Sequence, residues 1–211
     1  CCVKQLGYTG EGWMHRIQTE WLLYTGTITW NDIPYTLTAT AHLPADVFKK
    51  PLETMEKIGL PLLVHGEVTN PSIDIFDREA VFIETVLQPL IKNFAGLKIV
   101  FEHVSSSEAV DFVISSNENI GATITPHHMI ITRNAIFEGG IRPHMYCLPV
   151  AKREKDKLAL RKAAVSGASK FFLGTDSAPH HAKSKESDCG CAGIFSAVSA
   201  LEFYAQVFDE E

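Results

Sequence analysis

Residues 98–128 read KIVFEHVSSSEAVDFVISSNENIGATITPHH, and their pattern decides the fold class. Lys98 to Phe101 is a short apolar run that predicts a strand, and Gly121 to Thr125 predicts the next one. Between them Ser106 to Ser116 opens on serines, which cap helix N-termini, and continues with helical spacing of Ala, Val and Phe. The same alternation extends in both directions. Upstream, Leu60 to Val64 predicts a strand, followed by a turn-rich stretch and a helix carrying Val81, Val86, Leu87, Leu90, Ile91 and Phe94 on one face, with Asp77 as N-cap and Gly96 as C-cap. Downstream, residues 151–166 predict a helix that stops at Gly167, and Lys170 to Leu173 predicts one more strand. Strands alternating with helices of this size imply right-handed crossovers and a parallel sheet, an α/β fold.

The composition narrows the functional classes. Two hundred and eleven residues at 45% hydrophobic and 21% charged are those of an ordinary globular chain, long enough to bury a core. A net charge of −6 leaves no basic footprint, so nucleic acid is not an expected partner. No window approaches eighteen uninterrupted apolar residues, so no membrane span is expected either. Five cysteines form no even, dense framework, which favours a reducing, intracellular setting, and Cys189-Gly190-Cys191 reads as a loop with free thiols. Residues 1–50 differ in texture from 51–211. They hold all three tryptophans, eight threonines and equal numbers of acidic and basic residues, and 23–42 alternate with period two around Asn-Asp-Ile-Pro, the signature of a β-hairpin.

Chemistry collects where the strands end. Leu62-Leu63-Val64 ends in His65, Ile99-Val100-Phe101 leads through Glu102 to His103, Thr123-Ile124-Thr125 leads to His127-His128, and Phe171-Phe172-Leu173 leads to Asp176. In parallel α/β folds the active site lies at the carboxyl ends of the strands, so these side chains can converge. Imidazole and carboxylate together suit a divalent transition metal, zinc first. Metal-dependent hydrolysis and a set of unrelated loop and core histidines explain this pattern equally well at this level.

Longer motifs separate the two. PLLVHGEV (61–68), DIFDRE (74–79), KIVFEH (98–103), ATITPHH (122–128), GGIRPHMYCLP (139–149), FFLGTDSAPH (171–180) and CGCAG (189–193) resemble, in order, the motif series of the monofunctional bacterial and plant dihydroorotases. The resemblance implies a (β/α)₈ TIM barrel of the metal-dependent amidohydrolase type with two zinc ions. It also implies reversible cyclisation of N-carbamoyl-L-aspartate to L-dihydroorotate in pyrimidine synthesis. By motif, His65 and His103 would bind one zinc and Asp176 the other. Asp176 would also be the catalytic general base. His65, Leu148, His180 and Ala192 would meet the substrate, Leu148 and Ala192 through their backbones. Ser177 lacks the Gly-x-Ser-x-Gly elbow of a serine nucleophile.

The departures lie at one end. The family's first strand carries a His-x-His pair, and no His-x-His occurs in this sequence. Its fourth strand carries a bridging carboxylated lysine, yet none of Lys4, Lys49, Lys50 and Lys57 lies in a matching motif. The expectation is therefore the second half of the barrel, strands five to eight over 51–211, behind a divergent leader over 1–50. Such a chain should be inactive alone and hold less zinc. Its open sheet edges would be covered by the leader or by a homodimer. The compartment would be cytoplasmic in a bacterium and mitochondrial or plastid in a plant. Two other readings remain: a hydantoinase-like or allantoinase-like hydrolase, and a non-catalytic interaction protein built on a half barrel.

Overall fold

A computed structural model describes residues 21–30, 33–42 and 45–211, with side chains from residue 49 onward. Strands β1 (Trp21–Trp30) and β2 (Ile33–His42) pair antiparallel, from Trp21 opposite His42 to Trp30 opposite Ile33. Residues 1–20 of the expected leader lie outside the described residues. Helix α1 (Ala45–Ile58) ends at Gly59, whose φ of +70° needs glycine, and the Leu60 N–H closes the turn on the Met55 carbonyl at 2.9 Å.

Strand β3 (Leu62–His65) starts later than the apolar run suggests. Pro61 has no N–H to give a ladder, and pairing begins when the Leu62 N–H reaches the Lys98 carbonyl at 2.8 Å. The crossover to β4 (Ile99–Glu102) is one rod made of α2 (Arg78–Phe82), a wider π turn (Ile83–Leu87) and α3 (Gln88–Asn93). The wide turn lies just ahead of Pro89, which has no N–H to offer a regular helical bond. Asp77 stands at the N-cap position without a side-chain cap bond. Gly96 is not the C-cap. The rod stops at Phe94, and Gly96 instead donates its N–H to Glu56 Oε1 at 2.7 Å, docking the loop onto α1.

Helix α4 (Ser107–Ser115) is capped by Ser106, whose hydroxyl accepts the Ala109 N–H at 3.1 Å. Then follow β5 (Ile120–Ile124), the short α5 (Pro126–Ile130) and α6 (Glu154–Val165), with Gly167 at φ +72° turning the chain into β6 (Phe171–Leu173). Helices α7 (Ala182–Lys185) and α8 (Ala200–Glu210) complete the described chain.

The four later strands form one parallel sheet in the order β3-β4-β5-β6. Strand order that follows the sequence, with a helical crossover at each step, is the arrangement of a barrel. A doubly wound sheet reverses its order at a switch point. Leu62, Val64, Ile99, Phe101, Ile120, Ala122 and Ile124 alternate onto the face buried beneath Phe82, Leu87, Val110, Val113 and Leu160. Each such large side chain contributes about 1.5–3 kcal/mol by leaving water. The opposite face carries His65 and Glu102 at the strand ends. At one edge of the sheet Phe172 and Leu173 of β6 are 46% and 52% exposed, and beyond the other edge β1 lies beside β3. No helix among the described residues is long and apolar enough to cross a membrane.

A candidate metal centre at the strand ends

His65 is the last residue of β3 and His103 the first after β4, so the pairing of these two strands brings their rings together. His65 Nδ1 lies 3.1 Å from His103 Nε2, with ring centroids 4.7 Å apart at an interplanar angle of 66°. Two imidazole nitrogens bound tetrahedrally to one zinc at 2.0–2.1 Å would stand about 3.3 Å apart, so the pair has the spacing of shared ligands. His103 Nδ1 is buried without a hydrogen-bond partner. Burial, then the neighbouring His65, holds His103 well below the usual histidine range. It is therefore neutral near pH 7, the form that binds metal.

The turn that carries His103 is held in an uncommon conformation. His103 has φ 42° and Asp176 φ 41°, left-handed values that cost a non-glycine residue about 1–2 kcal/mol. Thr123 of β5 holds the first of them: its hydroxyl accepts the His103 N–H at 2.6 Å and its carbonyl accepts the Val104 N–H at 3.1 Å. Gly174 presses on the same side chain, since a Cβ there would lie 2.6 Å from Thr123 Cβ. Asp176 follows on the same loop, within electrostatic reach of His65 and Glu102. Burial raises its carboxyl, with His65 pulling the other way, and burial followed by the Asp176 charge raises Glu102. The structure thus brings His65 against His103 and places Asp176 within electrostatic reach of His65 and Glu102, while these residues do not gather three ligand atoms within 4.8 Å of one another. It also adds Glu67, whose Oε2 lies 3.1 Å from His65 Nε2.

A second cluster lies deeper. His127, His128 and Cys147 each bring one ligand atom to within 4.8 Å of the others, all buried. His128 Nε2 and Cys147 Sγ both point at the Pro149 carbonyl, at 2.9 and 3.2 Å, and His128 Nδ1 meets the Thr125 hydroxyl at 2.7 Å. These contacts account for His128 and Cys147 as structural groups; burial pushes the Cys147 thiol up to about 12. His127 makes no hydrogen bond through either ring nitrogen.

The residues expected to hold substrate sit on loops that meet one another. His180 Nε2 donates to the Ala192 carbonyl at 3.0 Å. Gly193, at φ +150°, lets the loop pass so close that a Cβ would fall 2.8 Å from His180 Nε2. Lys185 Nζ gathers the carbonyls of Tyr146, Cys191 and Gly193 at 3.0, 2.7 and 2.8 Å, tying the CGCAG loop to the segment that leads to Leu148. The Cys191 thiol faces the Cys189 sulfur at 3.9 Å.

No protein-family model matches the chain. It is 65% identical over 160 residues to the dihydroorotase of Chelativorans sp. strain BNC1, covering 76% of this chain and 46% of that protein. To the dihydroorotase of Sphingopyxis alaskensis it is 60% identical over 176 residues, covering 82% and 52%. Two solved structures superpose with TM-scores of 0.70. One is dihydroorotase from Campylobacter jejuni, 40% identical over 79% of this chain and 46% of that one. The other is dihydroorotase from Saccharomyces cerevisiae in complex with 5-fluoroorotic acid, 36% identical over 78% and 48%. The chain spans about half the length of the curated relatives it matches. These relatives favour the dihydroorotase reading over a hydantoinase, an allantoinase or a non-catalytic half barrel.

Proposed function

This chain belongs to the dihydroorotase family, and on that premise we propose that it carries one zinc-binding pair and the general base of a site that interconverts N-carbamoyl-L-aspartate and L-dihydroorotate. The observation that carries the reading is the 3.1 Å approach of His65 Nδ1 to His103 Nε2 at the ends of adjacent parallel strands. His65 and His103 would hold one zinc, and Asp176 would serve a second. Zinc bound there supplies a polarised carbonyl and a water acidic enough to attack a cyclic amide, which is otherwise a poor electrophile.

The chain's own residues do the rest. Asp176 takes the proton of the attacking water and returns it to the ring nitrogen as the amide bond opens. A carboxylate beside the attacking water can accept that proton and pass it on. His180 and the backbones of Leu148 and Ala192 would hold the substrate carboxylate and ring amide. The orotate analogue bound to the yeast relative is a ring carboxylate of this class. With no His-x-His in its sequence, the 211-residue chain on its own should hold one zinc and not turn over.

Zinc titration of the purified chain, with His65→Ala and His103→Ala alongside, tests this. One zinc lost in both variants supports the reading. A wild-type chain that binds none, or that binds it equally after either substitution, overturns the assignment. Dihydroorotate hydrolysis by the chain alone, with two zincs bound, would overturn its incompetence.

A further inference from the structure

Glu67 has no part in the reading above, yet it is a buried carboxylate beside the candidate metal centre. It is 5% exposed, its Oε1 has no hydrogen-bond partner, and its Oε2 lies 3.1 Å from His65 Nε2. We propose that Glu67 is a positioning residue: it accepts the Nε2–H of His65 and so fixes the tautomer whose Nδ1 lone pair faces His103 Nε2 and the zinc between them. This rests on the zinc reading of His65 and His103.

A neutral imidazole carries one N–H, and an ionised carboxylate can only accept a hydrogen bond. With Glu67 on Nε2, the proton belongs there and Nδ1 is left as a lone pair. The opposite tautomer would set an Nε2 lone pair against a carboxylate oxygen at 3.1 Å, which is repulsive. The chain between the two side chains is also pinned. A Cβ on Gly66 would lie 1.9 Å from Phe101 Cε2, so this backbone rests against a fully buried ring and cannot swing Glu67 away from His65. Carboxylates that fix a metal-binding histidine in this way change metal affinity by about 10–100-fold when removed.

The test uses the full 211-residue chain. In the metal-free protein, ¹⁵N NMR of the imidazoles, with His65 assigned by its loss in His65→Gln, should show Nε2 protonated. That preference should persist in Glu67→Gln, whose amide oxygen accepts the same bond, and disappear in Glu67→Ala. Zinc titration against a competing chelator should then find Glu67→Ala weaker by about 10–100-fold and Glu67→Gln close to wild type. An Nδ1–H tautomer in the wild type overturns the proposal. So does Glu67→Ala binding zinc within about twofold of wild type. Glu67→Gln as weak as Glu67→Ala also overturns it, because the effect then belongs to charge. A wild-type chain that binds no zinc overturns the metal reading alone, and the tautomer still decides the orienting role of Glu67.

Discussion

Replacing Lys152 by methionine should cost the protein a large part of its stability, and the cost should grow with pH. Lys152 is 5% exposed and Glu79 fully buried; the ammonium lies 3.8 Å from Glu79 Oε2 and 2.5 Å from the Ser105 hydroxyl. Ser105 in turn donates its N–H and O–H to Glu79 Oε1 at 3.0 and 3.1 Å. Without Lys152 the carboxylate keeps those two donors and loses its counter-charge, while the Glu67 charge still acts on it. Breaking a buried pair from one side costs about 3–5 kcal/mol, a large part of the roughly 5–15 kcal/mol that holds a domain together. Burial already raises the Glu79 carboxyl against the opposing pull of Lys152, and removing the lysine raises it further. A raised folded value means that the folded state holds the proton more tightly than the unfolded chain, where Glu titrates near about 4.3. That stability is complete below the unfolded value and is lost as pH rises towards the folded one, at about 1.4 kcal/mol per unit. Urea unfolding followed by far-UV circular dichroism should therefore find Lys152→Met several kcal/mol below wild type at pH 8 and much closer at pH 5. The uncharged pair Glu79→Gln with Lys152→Met should recover most of the loss at pH 8. A deficit equal at both pH values, or under about 1 kcal/mol at pH 8, would show that the pair does not act as a buried ion pair.

Two further outcomes follow from single positions. Burial lowers His127 to about 4, below the roughly 6.5 of an unfolded histidine, so its contribution is present above pH 6.5 and lost as pH falls towards 4, up to about 3 kcal/mol. Thermal unfolding from pH 7 to 4.5 should show His127→Gln losing less than wild type, and parallel curves would contradict it. Gly66→Ala puts a Cβ 1.9 Å from the buried Phe101 ring, which should cost about 1–3 kcal/mol by overpacking and displace His65 from Glu67. Wild-type denaturation and zinc affinity in that variant would count against the close approach.

The strand–helix alternation over 98–128 was legible because each strand is a short apolar run with its own punctuation. Its boundaries moved by one residue, and the earlier Leu60 run starts two residues later, at Leu62, because Pro61 has no donor for the ladder. The contact of His65 with His103 could be argued from where strands end, since parallel pairing brings strand ends together whatever their separation in sequence. Glu67 could not be found that way. A glutamate after His-Gly carries no periodicity, and nothing in its local sequence signals that it is buried. The Glu79–Ser105–Lys152 contacts were hidden for the same reason, because each residue alone reads as an ordinary surface polar group. Gly96 was misread because a glycine after an amphipathic run resembles a helix stop even when, as here, its N–H serves Glu56 on another helix.

The neighbour-to-neighbour order of β3, β4, β5 and β6 bears on how this sheet can assemble in time. Every hydrogen-bonded pair in it joins strands consecutive in the chain, separated by one crossover. Loop-closure entropy is therefore spent in small steps, and no pairing waits for a distant segment to be synthesised. Each βα unit can add to the one before it as it leaves the ribosome, and the last surface to be satisfied is the β6 edge with Phe172 and Leu173.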